Sequence, residues 1–93
     1  MFTNRYMTNG VQSEIPAVLQ IFMWDCISAV PVQKDYLQIF RLSERNGKQK
    51  VVHEQEVPEF KREYLLAFPN PVNAKVYVID DGDHCTMLFA SEY

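Results

Sequence analysis

The stretch from Ser13 to Val30 constrains the fold most, because it carries the only long helical pattern in the 93 residues. Its apolar residues recur at the i, i+3, i+4 and i+7 spacing of one buried helix face. They are Ile15, Val18, Leu19, Phe22, Met23, Cys26, Ile27 and Val30. Ser13 is a suitable N-cap, Pro16 is tolerated in a first helical turn, and Pro31 ends the pattern. We therefore predict one main helix over about residues 14–30.

The remainder of the chain has the composition of short strands separated by turns. The predicted strands are residues 2–8, 35–42, 48–57, 75–80 and 83–90. Residues 59–68 fit a helix or a strand, and we predict a helical turn followed by a strand. The expected architecture is a single α+β domain over residues 1–93. In it, an antiparallel sheet of about five strands is covered on one face by the main helix.

A first hairpin is predicted from Asn46-Gly47, which is a strong signal for a two-residue type I′ turn. Such a turn sets Phe40 opposite His53. The run from His53 to Glu56 is polar on both faces of its strand. We therefore expect this end of the strand to lie at a sheet edge or beyond the core, with a solvated His53.

A second hairpin is predicted from Asp81-Gly82, which sets Val78 opposite Cys85 if the turn has two residues. Both faces of this hairpin carry apolar residues. Such a pattern is typical of strands that are buried on both sides. We therefore expect a central hairpin that is either covered on both faces within the chain or covered on one face by a partner.

The outer side of the main helix carries a second stripe, which is a candidate partner surface. Its members are Ala17, Ile21, Trp24 and Ser28. Ile and Trp are seldom found together on a helix face that contacts only water, and Trp is enriched at binding hot spots. Two explanations remain open: a loop or the N-terminal segment folds over the stripe, or a protein partner or a second copy binds it.

Charge and composition narrow the classes of partner and the location. The net charge is −3, from 12 acidic and 9 basic residues, and the basic residues are scattered singly except at 61–62. This balance disfavours nucleic acid as a partner. No apolar run is long enough for a membrane span, and the first ten residues lack the apolar core of a signal peptide. We therefore expect a cytoplasmic protein in which Cys26 and Cys85 are buried free thiols.

No group of residues matches a catalytic, cofactor or metal motif. The acidic tip at 80–84 lacks the spacing of a calcium loop, so its Asp-Gly is interpreted as a turn with solvated neighbours. Neighbouring strand residues point to opposite faces, which separates His84 from the Cys85 thiol. The same alternation separates His53 from Glu54, so neither histidine has a base–orienter partner.

Two functions remain open from the residues alone. The first is a small interaction or regulatory protein, favoured by the helix stripe, the two-faced hairpin and the lack of a reactive constellation. The second is a small-ligand-binding protein or enzyme with a pocket between the helix and the sheet. That pocket would be lined by Tyr36, Tyr64 or Tyr77, together with His53 or His84.

Several segments together resemble a small family of bacterial proteins that is known only as a domain of unknown function. They are RYMTNGV, EIP, LQ and FMWD near the N-terminus, then KDYLQIF, HEQEVPEFK and VIDDGDHCTMLFASEY. The resemblance covers nearly the whole chain and is to a family of low-GC Gram-positive bacteria. It implies a stand-alone cytosolic protein of about this length. It implies no activity and no site residues.

Overall fold

Six strands pair into one sheet in the computed structural model, which describes residues 2–93. The elements in chain order are β1 (Arg5–Met7), α1 (Asn9–Glu14), α2 (Ala17–Ser28), β2 (Leu37–Arg45), β3 (Lys48–Gln55), β4 (Phe60–Leu66), β5 (Ala74–Asp80), β6 (Cys85–Phe89) and a final 3-10 turn (Ala90–Glu92). The strand order is β1-β6-β5-β2-β3-β4. β1 runs parallel to β6, and the other neighbours are antiparallel.

The α+β class is confirmed. The sheet was expected to be antiparallel with about five strands, and the described part of it has six strands, of which β1 and β6 are parallel. The difference from the predicted elements lies at residues 60–66, which are extended throughout instead of beginning with a helical turn. This segment pairs with seven of the eight residues of β3, from Gln55 opposite Phe60 to Gln49 opposite Leu66. The ladder of hydrogen bonds along β3 therefore overrides the helical spacing of its aromatic residues.

The β2–β3 hairpin forms in the predicted register. Asn46 and Gly47 have φ of 52° and 75°, as a type I′ turn requires at both central positions. Phe40 lies opposite His53. The Asn46-Gly47 dipeptide was therefore enough to predict the pairing of β2 with β3.

The predicted register of the β5–β6 hairpin is wrong by two residues. Val78 lies opposite Met87, not Cys85, and the pairing ends at Asp80. The Gly82 N–H donates to Asp80 Oδ1 at 3.0 Å, and the Asp81 N–H donates to the His84 carbonyl at 2.8 Å. These bonds hold a four-residue loop. Because the shift is an even number of residues, each side chain stays on its expected face.

The predicted edge position of the second half of β3 is also wrong. β3 lies between β2 and β4, so the edges of the described sheet are β1 and β4. His53 is 0% exposed and Gln55 is 2% exposed. His53 and Gln55, the alternate residues of this polar run that face the core, therefore lie inside the protein, while Glu54 and Glu56 remain accessible.

The predicted helix over 14–30 is wrong in its first part, where the chain forms two helices that meet at Ile15 and Pro16. Ile15 is extended, with φ −107° and ψ 121°, because the residue before a proline is disfavoured in the α conformation. Thr8, not Ser13, caps the first helix by accepting a hydrogen bond from the Val11 N–H. The side-chain amide of Gln20 donates to the Ile15 carbonyl at 2.7 Å, so this carbonyl has a hydrogen-bond donor at the break between the helices.

The core lies between these helices and one face of the sheet. The buried apolar residues in it are Phe2, Val11, Ile15, Leu19, Met23, Cys26, Ile27, Phe40, Leu42, Val51, Val76, Val78, Cys85 and Met87. Both cysteines are free and buried, as expected. Val18, expected in the core, is instead 55% exposed, because α2 contacts the sheet along a narrower face that begins at Leu19.

Candidate interaction surface

The face of the sheet that points away from the helices is a candidate interaction surface. Along β2 the side chains of Gln38, Phe40 and Leu42 are buried beneath the helices. The alternating positions of β2, and their cross-strand partners, point to the opposite side. The residues of α1 and α2 that pack on the sheet belong to the core on the other side. We call it the open face.

An apolar patch occupies one half of the open face. It consists of Leu37, Ile39, Tyr77, Ile79, Thr86 and Leu88. Ile39 is at its centre with 9% exposure, and the other five are half-buried by one another. Tyr6 lies beside Thr86 on β1 and is 59% exposed, while the Tyr93 ring packs edge-on against Tyr77 with centroids 5.7 Å apart. The apolar residues form one surface across β2, β5 and β6.

A basic patch occupies the other half of the open face. It consists of Arg41, Arg45, Lys48, Lys50, Lys61 and Lys75. Arg41 pairs with Glu54 at 2.6 Å, and Lys50 pairs with Glu63 at 3.4 Å. Lys75 lies over the Tyr77 ring, with Nζ 5.4 Å from the centroid, so the basic patch adjoins the apolar patch.

Sequence reasoning missed the basic patch, although a signal for it was present. Its basic residues are not adjacent in the sequence, because strand positions that share a face are separated by at least one residue. Arg41 and Arg45 lie on either side of Ser43 on one face of β2. Lys48 and Lys50 lie on either side of the buried Gln49 on β3. Combining the predicted hairpin register with this alternation would have brought these four together.

The predicted helix surface is only partly exposed. Ala17 and Ser28 are exposed and Ile21 is 60% exposed, whereas Trp24 is half-buried and packs against the core. The Arg5 guanidinium lies 4.9 Å from the centre of the Trp24 ring and donates to the Ser28 hydroxyl at 3.4 Å. The N-terminal segment therefore lies over Trp24, and Ile21 remains the exposed apolar centre of this surface.

A buried polar network surrounds His53 and joins β2 and β3 to the loops beside them. The Gln38 amide donates to Gln55 Oε1 at 2.7 Å and to the Asp35 carbonyl at 2.9 Å. The Gln55 amide in turn donates to the carbonyls of Gln33 and Pro58. Because these backbone carbonyls can only accept, they set the orientation of both glutamine amides.

This network assigns the proton on the His53 ring. Gln38 Oε1 lies 2.6 Å from His53 Nε2 and can only accept, so Nε2 carries the hydrogen. Nδ1 is buried and has no hydrogen-bond partner among the described residues. The ring stacks on Phe40 with centroids 4.4 Å apart. Burial is the largest influence on the pKa of His53 and lowers it to about 4, with the nearby Arg62 charge adding to the effect.

The remaining candidates from the sequence are separated from one another. His84 lies in the β5–β6 loop, 3.2 Å from Asp81 Oδ2, and packs edge-on against Tyr6. Burial raises the pKa of the Cys26 thiol to about 11 and raises that of Cys85 above its usual value. Neither thiol is in the ionised form that a nucleophile requires at neutral pH.

The residues proposed for a ligand pocket lie on opposite sides of the sheet. Tyr64 is on the helix side and packs edge-on against Phe22, with ring centroids 5.0 Å apart. Tyr77 is on the open face, and Tyr36 is exposed in the loop before β2. The structure does not gather these tyrosines around either histidine.

Among residues 2–93, no group of three or more His, Cys, Asp or Glu side chains is placed to hold a metal ion. No helix in that range is long and apolar enough to cross a membrane.

Comparisons with known proteins agree with the fold and with the resemblance seen in the sequence. No curated protein matches the chain. Among solved structures, it is similar to a protein of unknown function from Enterococcus faecalis, with a TM-score of 0.85 and 27% identity over 97% of this chain and 90% of that one. A family model described as "Staphylococcal protein of unknown function (DUF960)" matches residues 4–92. The chain belongs to this DUF960 family.

Proposed function

We propose that this protein is a cytoplasmic interaction module that binds a protein partner through its open face. The apolar patch is the observation that carries the proposal. Sheets with apolar residues on both sides are normally covered on both sides, and here the helices cover one. Contiguous exposed apolar surface on a small protein is typical of an interaction site.

The position of the patch adds further support. Ile39, Tyr77 and Ile79 lie on the two central strands β2 and β5, where the backbone is held by neighbours on both sides. A surface on such strands is rigid before binding, so little conformational entropy is lost when a partner docks. The helix surface around Ile21 is the second candidate for the same role. It is smaller, because Arg5 covers Trp24.

A capture experiment with matched variants tests the proposal. The tagged protein is compared with Ile79→Thr, on the open face, and with Ile21→Thr, on the helix surface, in a lysate of the source bacterium. Both changes replace the ethyl group on Cβ of Ile with a hydroxyl, and Thr retains the β-branched side chain that strands favour. Thermal unfolding of each variant confirms that the fold persists.

We expect a specific partner that is retained by Ile21→Thr and lost with Ile79→Thr. The reverse result would move the binding site to the helix surface, which Trp24→Ser would then test directly. Capture that neither variant changes would contradict an apolar interaction surface at both places. Sedimentation at two protein concentrations reveals whether the partner is a second copy.

A further inference from the structure

The charges of this protein are strongly segregated between its two sides. The open face carries six of the nine Lys and Arg residues but two of the twelve Asp and Glu residues, a formal charge of +4. The rest of the chain carries three basic and ten acidic residues, a formal charge of −7. A strand surface is thus strongly basic in a protein that is acidic as a whole.

Four of the cations on the open face are available to a ligand. Both glutamates are already paired, Glu54 with Arg41 and Glu63 with Lys50. Arg45, Lys48, Lys61 and Lys75 have no ionic partner within residues 2–93 and are exposed. A complementary ligand would therefore bring negative charge to these four positions.

We propose that the open face binds an acidic segment of a partner protein, whose apolar side chains contact the apolar patch while its carboxylates contact the basic patch. This inference rests on the proposed function and names the chemistry of the partner. The two patches lie end to end along β2, from Leu37 to Arg45. Eight steps of about 3.3 Å give a length of about 26 Å, which an extended segment of about nine residues spans.

An acidic protein segment fits this surface better than a nucleic acid does. Nucleic-acid strands bind sheets by stacking bases on open aromatic rings and by tracking phosphates along unbroken basic grooves. Here the centre of the apolar patch is Ile39 and Ile79, and the Tyr77 ring already contacts Tyr93 and Lys75.

Peptide binding measured by fluorescence anisotropy tests the inference. The probes are a labelled 12-residue peptide with Leu residues in one half and Glu residues in the other, a counterpart with Lys in place of Glu, and a 12-nucleotide uridine RNA. Each is titrated with the wild type and with Lys48→Glu/Lys75→Glu at 50 and 200 mM NaCl. Lys34→Glu, in the loop before β2 and outside the open face, is the control for one such change, and Lys75→Glu alone is its counterpart of equal charge on the open face.

We expect the Glu peptide to bind at least tenfold more tightly than the Lys peptide and to weaken with salt. The double variant should weaken its binding at least tenfold, whereas Lys34→Glu should change it less than threefold. Equal binding of the two peptides, or no effect of the double variant, overturns the inference. RNA that binds more tightly than the Glu peptide assigns the face to nucleic acid instead.

Ile79→Thr separates failure of the inference from failure of the proposed function. If both peptides bind equally and Ile79→Thr weakens both, the open face binds proteins but charge does not select them. In that case the proposed function stands and the inference fails. If no peptide binding depends on Ile79, the open face is not an interaction surface and both proposals fail.

Discussion

Replacement of the buried histidine should remove a large part of the pH dependence of stability. In the folded protein His53 is neutral, and its pKa is lowered to about 4, mainly by burial. In the unfolded chain the same side chain has its ordinary pKa of about 6.5. Between these values the unfolded state binds more protons than the folded state. The free energy of unfolding must therefore fall as the pH falls.

The size of this effect follows from the two pKa values. Each unit of difference corresponds to about 1.4 kcal/mol, so the drop from 6.5 to about 4 corresponds to about 3 kcal/mol. This stability is fully present above pH 6.5 and is lost as the pH falls to about 4. In a protein of this length it is a substantial part of a typical total of 5–15 kcal/mol.

Urea unfolding at several pH values between 7 and 4 measures the effect. His53→Gln cannot titrate, yet its amide N–H can still donate to Gln38 Oε1. We expect the variant to be less stable than the wild type at pH 7, with a clearly smaller further loss down to pH 4. The surface change His84→Gln removes the other histidine and is the control. A His53→Gln variant that loses stability as steeply as the wild type would refute the reasoning.

Three further predictions concern the core, a turn and the thiols. Phe40→Ala should lower the free energy of unfolding by about 3–5 kcal/mol in urea, because its fully buried ring leaves a cavity against His53. Gly47→Ala should lower the free energy of unfolding by about 1–2 kcal/mol in the same assay, because a φ of 75° is disfavoured for a residue with a Cβ. A Cβ at this position would have no neighbour within 4 Å, so a steric clash is not the cause. Iodoacetamide at pH 8 should label Cys26 and Cys85 only when urea unfolds the protein, because both thiols are buried and their pKa values are raised. Rapid labelling of the folded protein would contradict this prediction.

Local turn chemistry determined which parts of the fold could be predicted. Asn46 and Gly47 both accept positive φ, so a two-residue turn and its register followed directly from the sequence. The Asp-Gly at 81–82 seemed equivalent, but the Asp80 side chain captures the Gly82 N–H and lengthens the loop. Neighbouring polar side chains can compete for the backbone in this way, and a dipeptide signal does not include them.

Tertiary partners explain the features that sequence patterns could not supply. His53 and Gln55 have the alternation of a solvated strand, and they are buried because Gln38 and loop carbonyls satisfy their polar atoms. The basic patch was in part of the same kind: the predicted β2–β3 hairpin could have supplied Arg41, Arg45, Lys48 and Lys50, whereas Lys61 and Lys75 join them only when β4 and β5 pair with that hairpin. The predicted helix failed at Pro16, where the conformation of the preceding residue outweighs the apolar periodicity.

The pairing of β1 with β6 makes the order of assembly differ from the order of synthesis. Within the described sheet β1 pairs with β6 alone, at residues 85–87, and the Thr8 hydroxyl, which caps α1, donates to Glu92 across 84 residues of chain. Contacts of this kind form slowly, because a long loop must close before any of them is gained. On the ribosome, Phe2 and Val11 therefore leave the tunnel long before the strand that helps to bury them exists. β1 is synthesised before the other strands of the described sheet, yet it can be placed only after β6.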